Sequence, residues 1–170
     1  QTFSMSPLSW LSLADWRKTV MEIGIGLNIA PFIGLGTIRT SIMGHEGEGG
    51  ERFQPTSQQM EEMSQLVHQG MRDGAFGLTV GLSYQVQRNA STAEIIALTQ
   101  LVTKYGGVFM AHDRGGRTAM TEFIEICQQT PIPGCLAHAT LAADPVALAQ
   151  FKVARKNGVE IYFDLYPWIH

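Results

Sequence analysis

Cysteine is almost absent: Cys127 and Cys135 are the two in 170 residues. Two thiols cannot build the disulfide framework of a small secreted domain, so a reducing, cytoplasmic setting is expected. Charge is sparse as well. Twelve basic and fifteen acidic residues give a net charge of −3, which offers no reason to expect nucleic acid or an anionic membrane as a partner. A clean hydrophobic span is also missing. The most apolar window, "IGIGLNIAPFIGLGTI" (23–38), contains Asn28, Pro31 and four glycines, which argues against a membrane helix and for a buried strand with glycine-rich flanks. The sequence has no starting methionine, basic n-region or cleavage-site pattern, so no targeting segment is read. It has no P-loop and no G-x-S-x-G elbow; "GIGLNI" fails the dinucleotide fingerprint at its last position and precedes its strand. No His-x-His occurs anywhere. Beginning at Gln1 and ending on "DLYPWIH", the chain reads as one domain, 1–170, cut from something longer.

What is present is a rhythm. The hydrophobic content of 45% is enough for one core, and apolar runs alternate with helical patterns. "NIAPFIG" (28–34), "AFGLTVGL" (75–82), "GVFMAH" (107–112), "GCLAHA" (134–139) and "VEIYFDLYP" (159–167) read as strands. Thr56 with Gln59, and Ser91 with Glu94, form capping-box pairs ahead of helices. The first helix, 57–72, carries Met60, Met63, Leu66, Val67 and Met71 at helical spacing. Residues 118–129 and a run opened by Pro145 supply two more helices. Five strands separated by four helices describe parallel βα units with near-continuous apolar strands. They could form an open doubly wound sheet or about five units of a (β/α)₈ barrel; a full barrel takes about 250 residues, so only part of one could be present.

Two histidines stand at strand ends. His112 closes one apolar strand and His138 the next, 26 residues later. Strand alternation puts His112 on the face of Met110 and Val108, and His138 on the face of Leu136. If those faces line a barrel, both imidazoles converge at its C-terminal mouth, where barrel enzymes place their sites, and could form half of a zinc site. Two hydrogen-bonded structural histidines would look the same in sequence. Cys135 lies an odd offset from His138 and should face away from it; Cys135 and Cys127 read as packed apolar residues. Tyr84 and Tyr166 follow strands and could hold a substrate carbonyl or carboxylate, or simply cap the mouth. Asp164 could be a general base or a carboxylate bonded to loop amides. Arg39 and Arg114 could meet an anionic substrate or, by default, loop carboxylates. His45 and His68 read as solvated.

The string "GAFGLTVGLSY…NASTAEIIAL…LVTKYGGVFMAHDRG" resembles the D-aminoacylase family, the zinc-dependent N-acyl-D-amino-acid deacylases of the amidohydrolase superfamily. The flanking pieces "NIAPFIGLGTIRTSIMG", "CLAHAT" and "ARKNGVEIYFDLYPW" are similar to further family segments, in order. The resemblance implies an α/β fold, a partial (β/α)₈ TIM barrel of the metal-dependent type. It implies zinc as cofactor, with His112 and His138 as ligands at the ends of strands five and six. Tyr84 and Tyr166 match tyrosines that line the family's substrate pocket, Thr140 and Arg114 complete the candidate substrate-binding residues, and the implied substrate is a small N-acyl amino acid. The implied reaction is amide hydrolysis by a zinc-activated water, with an aspartate on strand eight moving the proton.

Three positions depart from the family pattern. Ala111 replaces the serine before the first ligand, Thr140 the lysine two residues after the second, and Leu35 a third-strand histidine. The lysine helps hold the substrate carboxylate, so a different substrate or a decayed activity stays open. The strand-one His-x-His, the bridging ligand and the strand-eight aspartate match no position here, so no catalytic base is assignable. The chain alone is expected to be inactive and poorly soluble, needing the remaining barrel segments as partners. A cyclic-amide amidohydrolase of the hydantoinase or dihydropyrimidinase kind, and a non-catalytic barrel fragment, are the alternatives.

Overall fold

The computed structural model describes residues 10–44, 54–115, 118–139 and 144–166. Along them run α1 (Leu13–Ile23), β1 (Phe32–Gly34), α2 (Leu35–Met43), α3 (Ser57–Arg72), β2 (Gly77–Gly81), α4 (Thr92–Thr103), β3 (Val108–His112), α5 (Ala119–Gln129), β4 (Gly134–Leu136), α6 (Pro145–Lys156) and β5 (Ile161–Phe163). All strand pairs are parallel, and the sheet order is the chain order, β1-β2-β3-β4-β5. Each strand therefore sits beside its predecessor after a helical return, which is how a barrel wall is laid down.

Register divides the sheet into two chemically different faces. Leu78, Phe109, Gly134 and Ile161 lie side by side in one row, and Val80, Ala111, Leu136 and Phe163 in another. These rows carry the core: Leu78, Phe109, Leu136 and Ile161 are fully buried with Met63, Val67, Ile95, Leu98, Val102, Ile126 and Phe151 of the helices. Burial of each such side chain stabilises the fold by about 1.5–3 kcal/mol. The row between them, Thr79, Met110, Cys135 and Tyr162, points to the other face and is half-buried or exposed. Among the described residues, then, helices cover one face only. The opposite face is the inner wall of the barrel arc.

One close approach sets the helix layer. A Cβ on Gly134 would lie 2.3 Å from Cys127 Sγ and 3.0 Å from Phe123 Cζ, so only glycine lets α5 settle on β4. Cys127 is buried there, as read from its helix face, and burial pushes its thiol up to about 12.

The capping signals resolve unevenly. Thr56 and Gln59 exchange both bonds of the box, and α3 spans 57–72 as the pattern predicts, with Met63, Val67 and Met71 buried but Leu66 partly exposed. Ser91 accepts the Glu94 N–H at 3.1 Å. The carboxylate of Glu94 does not return to the cap; Arg39 claims it. Asp144 caps α6 through the N–H groups of Val146 and Ala147, with Pro145 in the first turn.

Two helices correct the pattern reading. α1 is opened by a Ser12–Asp15 capping box and carries Leu13, Trp16, Val20 and Ile23 at helical spacing, so it is legible locally, yet none of its residues is buried. α2 starts directly after β1 at a glycine cap with no side-chain bond. The window 23–38 is thus not one buried strand. It contributes three strand residues and the start of a helix, and residues 21–30 are exposed. No helix among the described residues is long and apolar enough to cross a membrane.

Candidate metal and substrate centre

β3 ends at His112, which shares the inner face with Val108 and Met110 by alternation. The path of His138 is different. β4 stops at Leu136, and Leu136 faces the helices, fully buried. Strand alternation therefore does not place His138, and the expected shared face with Leu136 is corrected. His138 instead sits in a turn with φ 37°, the one described non-glycine residue with positive φ. Left-handed backbone costs a residue with a Cβ about 1–2 kcal/mol. Asp164 opposes that cost: its Oδ1 accepts the His138 N–H, and its carbonyl accepts the Ala139 N–H at 3.0 Å. Its own N–H donates to the Leu136 carbonyl at 3.1 Å. The Asp164 carboxylate is thus bonded to loop amide, and what it holds is the kink that turns the second imidazole inward.

The two histidines meet. His112 Nδ1 and His138 Nε2 are 2.9 Å apart, with ring centroids at 4.4 Å. Tyr84 lies on the far side of His112 at 5.6 Å between centroids, and Tyr166 on the far side of His138 at 5.1 Å and nearly parallel. The result is a row of four rings, Tyr84–His112–His138–Tyr166, across the C-terminal edge of four successive strands, β2 to β5. Both tyrosines are more than half exposed, so each presents one ring face to the imidazoles and one to the mouth. Beside His112 a cleft of about 240 Å³ is lined by Gly34, Thr79, Gly81, Tyr84, Gln87 and Met110, among others. It is bordered by glycines on two strands, which leaves room at the inner wall.

The chemistry of the pair can be tested against zinc. Tetrahedral zinc with Zn–N bonds of about 2.0–2.1 Å separates two ligand nitrogens by about 3.3 Å. The observed 2.9 Å, a hydrogen-bond distance between the rings, lies within about half an ångström of that separation, so by distance the two nitrogens fit as two ligands of one ion. Among the described residues no group of three His, Cys, Asp or Glu side chains could hold a metal. Cys135 is half-buried on the inner face, and burial together with the Asp164 charge raises its thiol.

The remaining candidates have other work. Arg114 donates from Nε to both Glu122 oxygens, at 3.1 and 2.8 Å, and from its other nitrogens to the carbonyls of Arg88 and Ala90. Of the two expected fates, anionic substrate or carboxylate, the guanidinium takes the default one here, on Glu122 and the loop before α4. Arg39 is fully buried, paired with Glu94, and donates from Nε to the Val86 carbonyl at 3.0 Å. Burial pushes the Glu94 carboxyl up, against the pull of Arg39 and, more weakly, of Arg114. His68 is not merely solvated: its Nδ1 hydrogen-bonds the Tyr105 hydroxyl at 2.9 Å. Thr140 and His45 lie outside the described residues. The pattern reading did not find the Glu94 and Glu122 partners, since pairs separated by 55 and 8 residues have no shared local signal.

A parallel βα arc laid down strand beside strand, with its two imidazoles at neighbouring strand ends, is part of a (β/α)₈ barrel. No protein-family model matches the chain. D-aminoacylase of Alcaligenes xylosoxydans xylosoxydans is 23% identical over 168 residues, 92% of this chain and 33% of that enzyme. N-acyl-D-glutamate deacylase of the same organism is 24% identical over 152 residues, 84% of this chain and 30% of that enzyme. The crystal structure of N-acyl-D-glutamate deacylase from Bordetella bronchiseptica, complexed with zinc and a phosphonate mimic of the tetrahedral intermediate, superposes with a TM-score of 0.85 at 22% identity; it covers 97% of this chain and 36% of that one. The chain is thus similar to these deacylases over most of its own length, and it spans about a third of theirs.

Proposed function

We propose that the protein is a zinc-dependent deacylase of N-acyl-D-amino acids, with residues 1–170 forming the central part of its barrel domain. One observation carries the reading: two imidazole nitrogens 2.9 Å apart at adjacent strand ends, flanked on both sides by tyrosine rings. His112 and His138 would hold the ion. The chemistry zinc supplies when bound is polarisation of the amide carbonyl and a lowered pKa for the attacking water.

The chain's own residues do the positioning. Asp164 fixes the His138 turn and so the direction of that imidazole. Tyr84 and Tyr166 form the two walls between which a small N-acyl amino acid lies, offering a hydroxyl and an apolar ring face each. Thr140, two residues beyond His138, stands where the family resemblance puts a lysine for the substrate carboxylate. Threonine in place of that lysine drops the charge, which favours uncharged side chains over D-glutamate or D-aspartate. Free thiols at Cys127 and Cys135 suit a reducing, cytoplasmic setting.

The test uses the native protein, loaded with zinc, and N-acetylated D- and L-methionine, glutamate and aspartate, with hydantoin as the cyclic comparison. Release of free D-amino acid, with loss of zinc and of turnover in His112→Ala and His138→Ala, is the expected result. Turnover of hydantoin alone, or full zinc content in both variants, would overturn the proposal.

A further inference from the structure

The loop between β2 and α4, residues 82–91, carries Tyr84, and the structure holds it from two sides with the same device. On one side Arg39 donates to the Val86 carbonyl and is fixed by Glu94. On the other, Arg114 donates to the Arg88 and Ala90 carbonyls and is fixed by Glu122, which also accepts from Thr92 Oγ1 at 2.8 Å. We propose that these two arginine–glutamate clamps are positioning devices that set the Tyr84 ring on His112, and thereby one wall of the substrate mouth. The inference rests on the deacylase reading for its kinetic consequence but not for its geometry.

The arrangement exceeds what a stable loop needs. The loop already closes on itself: the Gly81 carbonyl accepts from the Tyr84 N–H, and the Tyr84 carbonyl accepts from both Gln87 and Arg88. Gln87 Oε1 further accepts the Gly81 N–H at 2.7 Å. Those bonds fix the turn's shape. The Leu82 N–H, donating to the His112 carbonyl at 2.9 Å, anchors the loop's first residue to β3; beyond it, the guanidinium bonds hold residues 86–90, since Arg39 comes from α2 and Arg114 from the segment just after His112. Arg114 therefore ties the loop that bears the tyrosine to the strand end that bears the histidine. A guanidinium is required for this. Three donors of Arg114 in one plane reach one carboxylate and two carbonyls, which a single ammonium cannot span. Arg39 is the deeper of the two, buried with Glu94, while Arg114 and Glu122 keep some solvent contact. Arg114 is thus the clamp that can be altered with the smaller cost to folding.

The experiment incorporates 3-fluorotyrosine into the native protein and assigns the Tyr84 resonance by its loss in Tyr84→Phe. In Arg114→Gln the expected result is a displaced or broadened Tyr84 signal with the other tyrosines unmoved. With it goes a rise of about tenfold in KM for the N-acyl amino acid and kcat within about twofold, as loss of a ground-state wall predicts. Arg114→Lys should not restore either. An unchanged Tyr84 signal in folded Arg114→Gln, or a fall in kcat with signal and KM unchanged, overturns the proposal. If Arg114→Gln does not fold, Glu122→Gln decides: it removes the carboxylate that fixes Arg114, so a smaller displacement of the same signal is expected and an unmoved signal refutes the clamp. If the unaltered protein hydrolyses no N-acyl amino acid, the deacylase reading fails while the resonance still decides the positioning.

Discussion

Gly81 offers the most direct way to move Tyr84 without touching its chemistry. A Cβ at position 81 would lie 2.5 Å from Tyr84 Cδ2, 2.8 Å from Cε2 and 3.4 Å from Gln87 Nε2. Carbon atoms in contact sit about 3.5–4.0 Å apart, so in Gly81→Ala the ring must retreat by roughly 1 Å. It can, because it is 61% exposed and turns about its own χ1. The backbone of Gly81 is not left-handed, so alanine adds no φ strain and lowers unfolded-state entropy, a gain of about 0.4–1 kcal/mol. The loss is the stack on His112, about 0.5–1.5 kcal/mol. These nearly cancel. Denaturant unfolding should therefore show a change within about 1 kcal/mol, while KM rises by about fivefold and kcat holds. A stable Gly81→Ala protein with unaltered KM would refute the idea that the seat of the Tyr84 ring matters to substrate binding. A collapse of stability would refute the packing argument itself.

Gly134→Ala should behave in the opposite way, because Cys127 and Phe123 are buried and cannot swing into water. Overpacking is expected to cost about 1–3 kcal/mol in denaturant unfolding, with Cys127→Ala in the same chain recovering part of it; two additive costs would show the contact is not shared. Thiol labelling checks the burial picture. With its thiol held up at about 12, Cys127 has a thiolate fraction of about one in ten thousand at pH 8, so iodoacetamide should modify it only on unfolding. Cys135 should react slowly in the folded state and faster in Asp164→Asn, since the carboxylate beside it disfavours the thiolate; equal rates in the two proteins would contradict that cause. Glu94→Gln should destabilise by about 3–5 kcal/mol, as it leaves Arg39 buried without its counter-charge, and thermal unfolding within a degree of the unaltered protein would dismiss the pair as a stabilising element.

The rhythm of strands and helices, the start of α3 and the resemblance to a metal-dependent deacylase were legible in the residues because each is local. Apolar periodicity, a Thr56–Gln59 cap and a histidine closing an apolar run need only neighbours in sequence. The Ser12–Asp15 cap of α1 is local too, although that helix buries no side chain; α2 was not legible, because it begins at a glycine without a cap bond. His112 was placed correctly by alternation, since β3 runs straight to it.

His138 could not be placed that way. Its strand ends two residues early, and its direction comes from a positive φ that Asp164, 26 residues away, makes affordable. The arginines tell the same story. Sequence leaves Arg39 and Arg114 between an anionic substrate and, by default, loop carboxylates; the fold names the partner of each, a glutamate on a helix, and adds loop carbonyls. Residue type and local order thus determined which groups stand at the barrel mouth. Which of them face one another, and which are occupied in holding the rest, was decided by tertiary structure, because hydrogen bonds between distant segments exist only once the strands are side by side.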